Sequence, residues 1–173
     1  MYDVDTLNFA LLLLRCSLGV VMLAHGIRHI IGGGKIAGTG RWFESLGMKP
    51  GIIHAWLASL TEVGAGTMLV LGLLQPLAAA GVVGVMTVAI VTNHLKNGFF
   101  IFNKGEGYEY VMSLTVMAIV AAALGPGQWS LDRKIELGWL PRSNFLIAVV
   151  AGGGGALLLL AGFWRPQKKD AAS

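Results

Sequence analysis

Ionisable side chains interrupt two long apolar stretches of this chain. Residues 8–30 carry Arg15 near their middle, and residues 53–74 carry Glu62. A charge at membrane depth is costly, so it usually faces a bundle interior or a water-filled cavity. Each side chain lies about nine residues, or ~14 Å, inside its helix. The sequence therefore predicts that Arg15 and Glu62 meet as an ion pair, which either locks two helices together or also relays protons.

The histidines lie at one predicted membrane boundary, which they share with Glu109. They are His25, His29, His54 and His94. His25, His94 and Glu109 belong to three different predicted helices and could converge. Histidines and a carboxylate at headgroup level can supply protons and hydrogen bonds to a quinone head. A metal site is the second interpretation, and capping of the helix ends is the third.

The composition is that of an integral membrane protein. Of 173 residues, 55% are hydrophobic and 13% are charged, whereas soluble domains carry about 25% charged residues. Apolar segments of spanning length occur at residues 6–27, 53–74, 77–95, 108–124 and 145–164. We therefore expect an all-α membrane protein, a four-helix transmembrane bundle plus a fifth C-terminal transmembrane helix.

The distribution of charged residues predicts the membrane orientation, and the cysteine content excludes some kinds of redox site. Lys and Arg concentrate in the first and third loops and the C-terminal tail, which predicts a plasma-membrane protein with its N-terminus outside and its C-terminus in the cytoplasm. Basic residues between apolar spans do not indicate nucleic-acid binding. The single cysteine, Cys16, excludes an intrachain disulfide and a four-cysteine metal site. Redox work would therefore need a diffusible cofactor, other ligands or a partner.

Ordered motifs across residues 11–132 resemble the DoxX family of small membrane proteins. They read LLLLRCSLGVVMLAHGIRHI, RWFESLGMKPG, LTEVGAGTMLVLGLLQPLAA, TNHLKNGFF and GYEYVMSLTVMAIVAAALGPGQWSLD. The resemblance implies a four-helix membrane domain over residues 1–132. Residues 133–173 are then a linker, an additional transmembrane helix and a basic cytoplasmic tail.

The resemblance also implies a redox role. The family takes its name from a subunit linked to thiosulfate:quinone oxidoreduction, and related members associate with soluble partners such as a superoxide dismutase and a sulfurtransferase. We expect a membrane subunit of an oxidoreductase system that binds menaquinone or ubiquinone and couples to thiol, sulfur or oxidative-stress chemistry through partners. The alternatives are a non-catalytic membrane anchor for soluble redox enzymes and a small-solute transporter. A homo-oligomer is compatible with each of these.

The predicted site residues follow from both arguments. The catalytic candidates are His25, His94 and Glu109. The cofactor-binding candidates are Arg15, Glu62, His29 and Phe99, and no metal ligand is predicted. Phe99 opens an aromatic run that is too apolar for a solvated loop and could cover a site. His29 stands where the family often has a lysine, so it would bind an anion only when protonated.

Overall fold

The computed structural model describes residues 3–166, and this part of the chain is helical with no β-strand. The α-helices are α1 Val4–Ile31, α2 Lys35–Ser45, α3 Gly51–Leu71, α4 Gln75–Ala89, α5 Glu109–Leu124, α6 Leu131–Lys134, α7 Pro141–Leu146 and α8 Gly154–Phe163. A π-helical turn, Ile90–His94, extends α4, and a second one, Ile147–Gly153, joins α7 to α8. Most of the predicted basic tail lies outside the described residues.

Three helical stretches are long and apolar enough to cross a membrane. They are Val4–Ile31, Gln75–Asn97 and Arg142–Phe163, and Glu109–Leu124 is a shorter apolar helix. The 21-residue helix α3 is not among them, and it carries His54 and Glu62 within its apolar sequence. Large apolar side chains face both inwards and outwards on α1, where Leu18 is buried and Leu13 is exposed. These features confirm an all-helical membrane protein.

Close contact between α1 and α3 fixes how these two helices align. A Cβ atom added to Gly19 would lie 2.7 Å from the carbonyl oxygen of Gly66, and one added to Gly26 would lie 2.9 Å from that of Ser59. Small residues let membrane helices approach until their backbones touch. The antiparallel register therefore places Gly19 beside Gly66, and this register decides which polar side chains can meet.

The continuous helical stretch Arg142–Phe163, which we call the C-terminal helix, packs into the same bundle. Gly152 fits against the backbone of Ala80 on α4, where a Cβ atom would lie 2.5 Å from the carbonyl oxygen. The end of α8 is fastened to the loop before α3, because the indole N–H of Trp164 donates to the carbonyl of Leu46 at 3.0 Å. The backbone N–H of Arg165 donates to Gly47 in the same place, at 2.8 Å.

The helical bundle has two ends, and different helices and turns lie at each. One end holds the start of α1, the turn between α3 and α4, and α6. The other holds α2, the start of α3 and the end of α8. At the first end, the carboxylate of Asp3 caps α1, and hydrogen bonds from Thr6 hold the pKa of Asp3 below its ordinary value of 3.8.

Candidate functional site

A cavity of about 520 Å³ occupies the end of the bundle beside α2. Its walls come from α1, α2, α3, α4, α5 and the C-terminal helix, and they are mainly apolar. Polar side chains lie among them. They are His25, His29, His54, Thr61, Glu62, Thr92, Asn93, His94, Glu106 and Tyr110. Apolar cavities of ~300–1,000 Å³ with a few convergent polar groups are the usual form of a small-molecule site.

An imidazole and a carboxylate meet on one wall of this cavity. Nδ1 of His29, on the last turn of α1, lies 3.0 Å from Oε2 of Glu62 on α3. The two atoms are not aligned as a hydrogen bond, so their contact is an ion pair when the imidazole is protonated. Trp42 and Phe43 of α2 flank the ring at centroid distances of 6.4 and 6.5 Å. The pair thus lies beneath α2 and is largely shielded from solvent.

The prediction that Arg15 pairs with Glu62 is wrong. Nη1 of Arg15 donates to the carbonyl of Leu69 at 2.9 Å, and Nη2 donates to that of Trp129 at 2.8 Å. The Gly19–Gly66 contact sets a register in which Arg15 faces the end of α3. Glu62 lies about 10 Å back along that helix from Leu69. Counting residues in the sequence gives only the approximate depth of each charge in the membrane. It does not show that Arg15 faces Leu69 and not Glu62.

Arg15 belongs to a polar network that closes the opposite end of the bundle. The fully buried carboxylate of Asp132 accepts the backbone N–H groups of Leu74 at 2.7 Å and Gln75 at 2.9 Å. Gly72 adopts φ +64°, and a Cβ atom there would lie 2.5 Å from Nη1 of Arg15. The sequence does not predict this role of Asp132, because the N–H groups that it accepts lie 58 and 57 residues away in the chain. We name this region, built on Arg15, Gly72 and Asp132, the closed end.

His25 and His94 line the cavity, but they are held differently. Nδ1 of His94 lies 2.9 Å from the carbonyl oxygen of Glu106 and therefore donates to it. Its Nε2 is then the acceptor, 3.4 Å from the side-chain nitrogen of Asn93. Both ring nitrogens of His94 thus contact polar atoms, and the Nδ1 contact holds the loop before α5. His25 is exposed, and its ring centroid lies 6.4 Å from that of Tyr110.

Two other predicted residues lie off the cavity wall. The backbone N–H of Glu109 donates to the carbonyl of Phe99 at 2.9 Å, which ties the start of α5 to the aromatic loop. Phe99 packs edge-on against Phe100 and Tyr108 and is 41% exposed. The structure therefore gathers four predicted site residues at the cavity, and it leaves three elsewhere. Those at the cavity are His25, His29, Glu62 and His94; those elsewhere are Arg15, Phe99 and Glu109.

His54 is the cavity residue whose importance the sequence did not reveal. It lies in the first turns of α3, is 3% exposed, and packs edge-on against Phe163 at a centroid distance of 5.1 Å. Neither ring nitrogen has a hydrogen-bond partner among residues 3–166. The sequence marked it only as one of the boundary histidines, because its aromatic neighbour is more than one hundred residues away in the chain.

Comparison with known proteins places the chain in a family. The DoxX family model matches residues 10–95. The uncharacterized membrane protein Rv3486 of Mycobacterium tuberculosis (strain ATCC 25618 / H37Rv) is 31% identical over 131 residues, which is 71% of this chain and 79% of that protein. The chain belongs to the DoxX family. No solved structure matches it.

The cavity of this DoxX protein combines residues from inside and outside the matched range. Residues 10–95 supply His25, His29, His54, Glu62 and His94, whereas Tyr110 and the wall formed by the C-terminal helix lie beyond it. No cluster of three His, Cys, Asp or Glu side chains suited to a metal ion occurs in the described part of the chain. The polar side chains that line the cavity are hydrogen-bonding groups, among them four histidines.

Proposed function

We propose that this DoxX protein is the membrane subunit of an oxidoreductase system and that its cavity binds a quinone, either menaquinone or ubiquinone. The supporting observation is the cavity of about 520 Å³, apolar over most of its surface and lined by histidines and Glu62. When bound, a quinone supplies the capacity to carry two electrons and two protons. A partner enzyme that oxidises thiols or sulfur compounds would deliver the electrons.

The residues of the cavity suit proton exchange. Glu62 lies beside Nδ1 of His29, so a carboxylate and an imidazole, both able to take up and release protons, meet on one cavity wall. His25 is exposed one helical turn away on α1, where it can exchange protons with water. His94 and Glu109 act in this scheme by holding the loop and the start of α5 that border the cavity.

The proposed membrane arrangement uses five spans. Helices α1, α3, α4, α5 and the stretch Arg142–Phe163 would each cross the plasma membrane, with the N-terminus outside and the C-terminus in the cytoplasm. Basic residues at the cavity end support this orientation. They are Arg28, Lys35, Arg41, Lys49 and Arg165. The cavity then opens near the cytoplasmic face, where soluble partners could reach it.

A second candidate function is a membrane anchor for soluble redox enzymes. The exposed face of α2 favours it, because Lys35 and Arg41 are exposed there and Trp42, which also lines the cavity, is partly exposed. A basic surface with an exposed aromatic side chain is suited to docking an acidic protein or to lying on anionic lipid. A superoxide dismutase or a sulfurtransferase would be the kind of enzyme so recruited.

Quinone binding can be tested by fluorescence, because Trp42 lines the cavity. The purified protein in lipid nanodiscs would be titrated with short-chain ubiquinone and menaquinone analogues. We expect saturable quenching of tryptophan fluorescence that Trp42→Phe largely removes and that Glu62→Gln weakens. Trp129→Phe, at the closed end, is the matched control and should keep the saturable component. If quenching rises without saturation, and equally in Trp42→Phe and Trp129→Phe, it reflects partitioning of the quinone into lipid. That result would contradict the proposal.

A further inference from the structure

His54 stands out among the cavity histidines because it is buried and neither of its ring nitrogens contacts a polar group in the described residues. His29 lies beside Glu62, and both nitrogens of His94 contact polar atoms. The ring of His54 is 97% buried, yet neither of its nitrogens is bonded within the described residues. A neutral imidazole carries one N–H donor and one acceptor lone pair. Leaving such groups buried and unpaired costs free energy, so an unpaired ring on a cavity wall is suited to hydrogen-bonding a molecule that enters the cavity.

The cavity that His54 lines has a volume of about 520 Å³. Many of the side chains that α3, α4 and the C-terminal helix contribute to its walls are small. They include Ala58, Gly81, Gly84, Gly155 and Ala156. With these small side chains the cavity stays open between the helices, and its walls are mainly apolar.

We infer that His54 is the residue that hydrogen-bonds the head group of the bound quinone, an inference that rests on the proposed function. The N–H of the ring suits the carbonyl oxygen of an oxidised head group, and its lone pair suits the hydroxyl of a reduced one. One unpartnered imidazole can therefore bind both forms. Glu62 lies about 12 Å from His54 along α3, so the His29–Glu62 pair serves a different part of the cavity.

This assignment gives the C-terminal helix a direct role in the site. Phe163 packs edge-on against the His54 ring at a centroid distance of 5.1 Å. The hydrogen bond from Trp164 to Leu46 fastens the end of α8 over the start of α3. The head-group position is thus built from α3, inside the range matched by the family model, and from a helix outside it.

The test compares quinone affinity and thermal stability in His54→Phe, with the whole protein in nanodiscs. Phenylalanine keeps the packing against Phe163 but removes both polar atoms. We expect the dissociation constant for a short-chain ubiquinone analogue to rise about tenfold, equivalent to losing one hydrogen bond of about 1.4 kcal/mol. The melting temperature without quinone should stay the same or rise, because an unpaired buried ring has been removed.

Two further variants keep this result interpretable. His54→Gln retains a donor and an acceptor and should weaken binding less than His54→Phe. Ser59→Ala is the matched control, because the Ser59 hydroxyl is buried on the same helix, bonds to Ala55 and does not line the cavity. It should leave quinone affinity unchanged.

The outcomes separate this inference from the proposed function. If the wild type binds quinone saturably and His54→Phe binds it equally well, the head group lies elsewhere and the inference is overturned while the proposed function stands. If His54→Phe lowers the melting temperature of the quinone-free protein, His54 has a structural role and the inference is also overturned. If the wild type shows no saturable binding, both proposals are wrong.

Discussion

The two ends of the bundle treat buried polar groups in opposite ways. At the closed end, Arg15 donates to backbone carbonyls, and Asp132 accepts two backbone N–H groups. At the cavity end, His54 has no partner and Glu62 has only the imidazole of His29 beside it. Both ends hold ionisable residues that an apolar environment penalises. The protein itself satisfies both carboxylate oxygens of Asp132 and leaves only Nε of Arg15 unpaired, whereas neither ring nitrogen of His54 has a partner in the described residues.

The polar residues at the closed end hold helices together, whereas those at the cavity end are available to a ligand. Arg15 is the more conspicuous residue in the sequence, since it interrupts the apolar run of α1. Its hydrogen bonds explain its presence without any ligand, because they tie the first helix to the end of α3 and to the segment before α6. The cavity end leaves polar atoms available, and a ligand or protons can use them.

The largest expected effect comes from Arg15→Met at the closed end. The variant removes charged hydrogen bonds to Leu69 and Trp129 and leaves their carbonyls without these donors. We expect the free energy of unfolding to fall by about 3 kcal/mol or more, measured by thermal or denaturant unfolding in detergent. Arg28→Met, at an exposed position on the same helix, is the control and should have little effect. Equal stability of the two variants would contradict a structural role for the closed end.

A smaller effect is expected from Glu62→Gln at the cavity end. The amide keeps the shape of the side chain and a neutral contact with His29, so only the charge is lost. The free energy of unfolding should fall by about 1 kcal/mol, while quinone affinity falls as well. A stability loss as large as that of Arg15→Met would show that the His29–Glu62 pair is a structural lock.

The smallest expected effect is the energetic coupling between the two ends. Because Arg15 and Glu62 do not touch, the double variant Arg15→Met/Glu62→Gln should lose the sum of the single losses. The coupling energy from this double-mutant cycle should be below about 0.5 kcal/mol. A coupling of several times that value would mean that the two charges interact after all.

The sequence predicted where the helices lie, but it did not predict which side chains contact one another. The apolar runs predicted at residues 6–27 and 53–74 correspond to the helices α1 and α3. It also placed His25, His29 and His94 at one boundary, and all three line the cavity. Such positions follow from counting residues along each helix.

The partners of Arg15 and the environment of His54 could not be obtained by counting. The first depends on the register that the Gly19–Gly66 contact sets between α1 and α3. The second depends on the C-terminal helix returning over the start of α3, which brings Phe163 to His54. Both are contacts between distant parts of the chain, and neither leaves a pattern in the local sequence.

Photoaffinity labelling tests the central claim most directly. The protein in nanodiscs would be irradiated with an azido-quinone, and labelled peptides would be mapped by mass spectrometry with and without excess unlabelled quinone. We predict labels on cavity-lining segments of α3 and the C-terminal helix that unlabelled quinone suppresses. Labels confined to lipid-facing positions such as Leu13 and Val20, with no suppression by unlabelled quinone, would contradict a quinone site in the cavity.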